Sequence, residues 1–173
     1  RKYGLTPGIF SYEPRSVPEK FFEKYPMLRG ARIDHPFRSF KPRYNMTITH
    51  PRVLQHYAEM LQKIMREIPE LGFMSIWTND SGAGFEHTKS LYVGRNGSAY
   101  LVREWNDDET IARLAGENAI RFFRTLLDAG REMNPNFRVM ARLESFYGEY
   151  ESVWNGLSNG VDAETNTLLG RGW

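Results

Sequence analysis

The chain has 173 residues, 40% of them hydrophobic and 14% aromatic, which is the composition of a folded globular protein rather than a disordered or fibrous one. Lys and Arg number 23 against 21 Asp and Glu, so the formal charge of +2 is not the strong basic excess of nucleic-acid-binding proteins, and we expect no nucleic-acid partner. The lack of cysteine excludes disulfides, thiolate nucleophiles and Cys-ligated metals. We expect no membrane span, because no apolar run approaches ~20 residues, and the cellular compartment stays open.

Hydrophobic periodicity predicts helices and strands that alternate along the chain. A helix opened by Pro51 is followed by a longer one that begins at Asp107 or Asp108 and ends at Met133. The predicted strands are short segments with β-forming residues between turn signals. The predicted helices cover residues 51–70, 107–133 and 149–157, and the predicted strands cover residues 3–9, 45–50, 73–79, 138–144 and 161–166.

This order is typical of βα units around a parallel sheet, so the expected fold class is α/β. Alternate strand residues such as Val139 and Ala141 form an apolar face, whereas the opposite face becomes polar toward the carboxyl end, as at Arg142. A doubly wound sheet has helices on both faces, but the inner face of a (β/α)8 barrel turns polar where active sites sit. We therefore predict a partial (β/α)8 TIM barrel with about five parallel strands and intervening helices.

The number of predicted strands is too small for a whole barrel, which usually takes ~250 residues and eight strands. Residues 1–173 are therefore expected to form part of a single catalytic barrel that is truncated at one or both ends. Missing sequence would supply the rest of the barrel.

Polar residues at the carboxyl ends of the predicted strands form the candidate site, because all βα loops of a barrel open on that side. Glycosidic cleavage needs one protonated carboxyl as general acid and a second, ionised carboxylate as base or nucleophile. We assign Asp80 as the acid and Glu144 as the base or nucleophile, with Glu164 assisting. His50 suits a sugar contact and a helix cap equally well. The predicted substrate-binding residues are His50, Trp77, Asn79, His87, Arg95, Trp105, Arg142, Tyr147 and Asn166.

The connection over residues 80–107 is far longer than the ~2–6 residues usual for a βα loop. It contains aromatic rings such as Phe85 and Trp105 among polar side chains such as His87 and Arg95. Stacking faces mixed with hydrogen-bond donors suit a sugar ligand. A structural flap that packs its own aromatic rings would have the same composition.

Two short motifs carry a resemblance to an enzyme family. P-E-L-G at residues 69–72 leads into a predicted strand that ends in N-D, and N-P-x-F-R-V at residues 134–139 leads into another strand. Over residues 3–168 the pattern resembles the catalytic barrel of glycoside hydrolases related to the β-N-acetylhexosaminidases and α-glucuronidases. The resemblance implies a (β/α)8 fold and glycosidic hydrolysis, with Asp80 most like a strand-end acid. The hexosaminidases have an Asp-Glu pair where this chain has Asn79 and Asp80, which favours a two-carboxylate mechanism over one assisted by a substrate acetamide.

Two other functions stay open at this point. Asp80, Glu144 and Glu164 form with His50 an oxygen-rich set of the kind that binds a divalent metal, which would suit a metal-dependent isomerase or hydrolase. A non-catalytic carbohydrate-binding barrel domain is the other alternative. The favoured interpretation needs neither a metal nor a cofactor, and its partner is an oligosaccharide or glycoside substrate.

Overall fold

The computed structural model describes residues 3–12, 14, 16–33, 43–77, 85–88, 108–143, 146 and 148–164. The strands, in chain order, are β1 (Gly8–Tyr12), β2 (Ser16–Val17), β3 (Arg29–Ile33), β4 (Arg43–Met46), β5 (Phe73–Trp77), β6 (Arg138–Arg142) and β7 (Val161–Glu164). The helices are α1 (Glu19–Lys24), α2 (Pro51–Glu67), α3 (Asp108–Met133) and α4 (Tyr150–Gly156), with a short 3-10 turn at Pro26–Leu28.

Four parallel strands form the main sheet in the order β1-β5-β6-β7. Their order across the sheet follows their order along the chain, with α2 before β5, α3 between β5 and β6, and α4 between β6 and β7. The predicted α/β class is therefore confirmed. The described strands do not include a closed barrel.

A second, three-stranded sheet has the order β2-β4-β3 and is antiparallel. This corrects the prediction for residues 45–50, because β4 ends at Met46 and lies in this small sheet, not in the parallel one. Among the described residues the parallel strands are thus four rather than about five. Helix α1, which the periodicity did not predict, buries Phe22 beside the small sheet, and the guanidinium of Arg29 lies over the rings of Phe22 and Tyr44.

The main core lies between the parallel sheet and the helices. Alternate strand residues, including Met74, Ile76, Val139 and Ala141, are buried, as the alternation predicted. Burying each large apolar side chain stabilises the fold by roughly 1.5–3 kcal/mol. The residues that α2 contributes to this core follow helical spacing and are Val53, Tyr57, Leu61 and Met65.

The opposite side of the parallel sheet, called the second face below, is half-buried or exposed over most of its area. Ser75 is its buried residue in the middle of the sheet, and the ring of Phe10 is exposed at β1. This face combines aromatic rings with charged side chains, which makes it the candidate ligand-binding surface of the sheet. The side chains that define the second face are Phe10, Phe73, Ser75, Trp77, Arg138, Met140, Arg142, Asp162 and Glu164.

Candidate functional site

Three predicted site residues meet on the second face, at the carboxyl ends of β5, β6 and β7. The guanidinium carbon of Arg142 lies 4.4 Å from the centre of the Trp77 ring. Nε of Arg142 is 3.2 Å from Oε1 of Glu164. The structure thus joins Trp77, Arg142 and Glu164 into one cluster, which we call the strand-end cluster.

Strand register explains why these side chains meet. Arg142 stands opposite Glu164 in the β6–β7 pair, and neighbouring strands lie about 4.8 Å apart. The Arg142 and Glu164 side chains are 17% and 33% exposed, so water and salt screen this ion pair less than a surface pair. A guanidinium over an indole ring adds a cation–π attraction of about 0.5–2 kcal/mol. The cluster is therefore a preorganised group rather than a set of independent surface residues.

A fourth residue, Ser75 in the middle of β5, contacts the strand-end cluster through Glu164. Its hydroxyl donates a hydrogen bond of 3.2 Å to Oε2 of Glu164. Because β6 lies between β5 and β7, the two residues belong to strands roughly 10 Å apart, and the Glu164 side chain reaches across the sheet. Sequence reasoning missed this role, although the polar Ser75 between the buried Met74 and Ile76 marked a polar position on the second face.

A second Arg–carboxylate pair lies at the amino end of the same strands. The Arg138 guanidinium binds both oxygens of Asp162, and these hydrogen bonds hold the pKa of the Asp162 carboxyl below its usual range. The two side chains are 48% and 39% exposed, and the pair is typical of a solvated surface interaction. The exposed Arg138–Asp162 pair can therefore be compared with the Arg142–Glu164 pair on the same two strands.

The two histidines predicted to bind substrate are also described. His50 Nδ1 accepts a hydrogen bond of 3.2 Å from the backbone N–H of Arg52, which confirms its interpretation as the cap of α2. His87 is exposed and has a left-handed backbone, with φ of 61°. For both residues, a contact with substrate stays a prediction.

Phe85 corrects one part of the sugar-site interpretation. Its side chain is 1% exposed, and its ring centre lies 5.5–5.7 Å from those of Phe122, Phe123 and Phe146. A ring buried in this aromatic cluster does not present a face to a sugar. For Phe85, a structural role in the core is therefore the correct interpretation, with partner rings that lie outside the connection over residues 80–107.

The neighbouring Glu86 connects residues 85–88 by hydrogen bonds to the residues that precede α2. Its Oε1 accepts a hydrogen bond of 3.0 Å from the backbone N–H of Ile48, and its carboxyl also bonds the Thr47 side chain. Burial raises the pKa of Glu86, and this effect outweighs the opposing effects of the two hydrogen bonds and of nearby His87. Sequence reasoning missed Glu86, because its backbone partner Ile48 lies 38 residues away.

Seven predicted site residues lie outside the described residues, namely Asp80, Glu144, Asn79, Arg95, Trp105, Tyr147 and Asn166. Within the described part of the chain, no group of three or more His, Cys, Asp or Glu side chains is arranged to hold a metal ion. The helices described here include none with the length and apolar character to cross a membrane.

Comparisons of the chain with protein-family models, with curated proteins and with solved structures found no match. The resemblance to glycoside hydrolases therefore stays a prediction.

Proposed function

We propose that the chain is part of a carbohydrate-active hydrolase that cleaves a glycosidic bond with paired carboxylates. The observation that carries this proposal is the strand-end cluster. Its carboxylate, Glu164, forms an ion pair with Arg142, whose guanidinium lies over the Trp77 ring, at the carboxyl ends of parallel strands. This is the end of a parallel sheet at which α/β enzymes bind their substrates.

A (β/α)8 barrel is the fold that we propose for this hydrolase. The order β1-β5-β6-β7 runs across the sheet without reversal, as it does in a barrel, whereas a doubly wound sheet reverses direction at its switch point. The contrast between the apolar face under the helices and the charged second face supports the same fold. In this arrangement the second face lines the interior.

The chemistry of the cluster suits the ionised member of a carboxylate pair. Glu164 pairs with a guanidinium and accepts a hydroxyl hydrogen bond, as a carboxylate does when it acts as base, nucleophile or electrostatic stabiliser. Asp80 is the proposed proton donor, and Glu144 the proposed base or nucleophile that Glu164 assists. The indole of Trp77 would supply the apolar wall that the C–H face of a sugar packs against.

One observation favours a second candidate, a carbohydrate-binding domain without turnover. Both oxygens of Glu164 already interact with protein groups, Arg142 on one side and Ser75 on the other. In this second candidate, Glu164 holds Arg142 and Ser75 in place around a bound sugar and does not react itself. The two candidates differ in turnover, so one assay separates them.

The test is hydrolysis of a panel of 4-nitrophenyl glycosides, including a β-glucuronide and an N-acetyl-β-glucosaminide, by the chain and two variants. Glu164→Gln should lower kcat/KM by about 10²–10³-fold, the range for removal of an electrostatic stabiliser, because Glu164 is proposed to assist Glu144. Asp162→Asn is the matched control, because it removes a carboxylate from the same strand and face at the opposite end, and we expect it to retain activity. Equal activity in the two variants would refute the role of Glu164. Oligosaccharide binding without product formation would support the second candidate.

A further inference from the structure

Among the described side chains of the second face, Ser75 is the most buried polar one. It is 9% exposed and lies on β5, opposite Phe10 on β1 and Met140 on β6. A hydroxyl in such a place costs free energy unless it forms a hydrogen bond, and an apolar residue would fill the position without that cost. Stability alone therefore does not explain the Ser75 hydroxyl, and its hydrogen bond to Glu164 points to a functional role.

The geometry of this bond determines where the carboxylate lies. Glu164 stands opposite Arg142 in the register, but its Oε2 meets a hydroxyl that belongs to the strand beyond β6. The side chain therefore extends toward the middle of the face. Ser75 donates a hydrogen bond to one oxygen, whereas Nε of Arg142 lies 3.2 Å from the other as an ion pair without hydrogen-bond geometry. The terminal torsion of a glutamate is intrinsically broad, so an ion pair alone leaves the carboxylate plane free to turn, whereas the directional hydrogen bond from Ser75 fixes it.

We propose that Ser75 is a positioning residue for Glu164: its hydroxyl fixes the plane of the carboxylate so that the oxygen beside Arg142 faces the sugar. This inference rests on the proposed hydrolase function. Ser75 itself touches no reacting atom and acts only through Glu164. Small displacements of a catalytic group lower rates by up to about 10²-fold, and this sets the scale of the effect.

The test compares Ser75→Val with Ser75→Thr, a pair with nearly the same shape that differs in the hydroxyl. On the 4-nitrophenyl glycoside that the chain hydrolyses best, Ser75→Val should lower kcat by about 10–100-fold, with KM changed by less than about twofold. Ser75→Thr keeps the hydroxyl and should restore most of kcat. Ser11→Ala is a further control, because it removes a hydroxyl from the helix-facing side of the same sheet and is expected to leave kcat unchanged.

The outcomes separate this inference from the proposed function. If Glu164→Gln abolishes turnover while Ser75→Val and Ser75→Thr behave alike, Ser75 has no positioning role and the hydrolase proposal stands. If the chain hydrolyses no glycoside of the panel, or Glu164→Gln leaves turnover intact, both proposals fail. Circular dichroism melting curves of the Val and Thr variants show whether both are folded, and the ratio of their kcat values then measures the hydroxyl alone.

Discussion

Replacing Phe85 by Ala tests whether the segment over residues 85–88 is part of the core or part of a ligand site. The ring is 1% exposed and contacts three other phenylalanine rings with centres 5.5–5.7 Å away. Phe→Ala substitutions at buried positions cost about 3–5 kcal/mol, because apolar contact is lost and a cavity is left. Loss of the edge-to-face ring pairs accounts for part of this cost.

This free energy is large relative to the stability of a typical domain, which is about 5–15 kcal/mol. In a chain of this size each kcal/mol shifts Tm by about 2–4 °C, so Phe85→Ala should lower Tm on the order of 10 °C. Thermal unfolding followed by circular dichroism measures the shift, and urea unfolding gives the free energy directly.

Phe10→Ala is the matched control, since Phe10 is the same residue type but is 54% exposed on the second face. It contacts Trp77 edge-on with ring centres 5.8 Å apart, and its removal should cost about 1 kcal/mol or less. Equal Tm losses in the two variants would contradict the assignment of Phe85 to the core. An unchanged Tm with lost sugar binding in Phe85→Ala would instead restore the ring to the ligand site.

Two further substitutions test other parts of the packing. Burial raises the pKa of Glu86, so its stabilising contribution is complete below the unfolded pKa of about 4.3 and is lost as the pH rises through the folded value. Glu86→Gln stays neutral, so its Tm should rise relative to that of the original chain as the pH increases above about 4.3, and a constant difference would contradict this. Gly130→Ala should lower the free energy of unfolding by about 1–3 kcal/mol, measured by urea unfolding, because a Cβ there would overlap the buried ring of Phe137. Helix propensity alone predicts the opposite, so a gain in stability would show that the Phe137 ring moves to make room.

Those parts of the fold that depend on local periodicity were predictable from the sequence. Helix α3 occupies Asp108–Met133 within the predicted 107–133, and β5, β6 and β7 lie inside their predicted ranges with the expected alternate residues buried. The signal in each case is confined to one segment, because the apolar residues that face the core repeat with the period of the helix or strand.

Features that depend on pairing between distant segments were not predictable in the same way. The alternation at Met46 and Ile48 suggested a strand of the main sheet, but β4 pairs instead with β2 and β3 in an antiparallel sheet. Strand alternation is the same in parallel and antiparallel sheets, so the pattern alone did not distinguish them. Helix α1 has six residues with Phe22 as its buried one, which is too short for a periodic signal.

In the strand-end cluster, too, the position of each residue was predictable from its own segment, but contacts between segments were not. The sequence placed Trp77, Arg142 and Glu164 near the ends of the predicted strands 73–79, 138–144 and 161–166, and in the structure each is the last residue of its strand. It gave no sign that Ser75 binds Glu164, because 89 residues separate them and the contact crosses an intervening strand. Candidate residues were thus predictable one at a time, whereas their mutual contacts required the register of three strands.

The two Arg–carboxylate pairs of β6 and β7 differ in a way that bears on function. The Arg138–Asp162 pair is exposed, where such pairs contribute about 0–1 kcal/mol and tolerate change. The pair at the carboxyl end is more buried, and desolvation then costs about as much as the attraction returns, so apolar residues of similar volume would serve stability at least as well. Stability alone therefore does not account for a charged pair between Arg142 and Glu164. The proposed function accounts for it, because that function needs a carboxylate held next to the Arg142 guanidinium, which lies over the Trp77 ring.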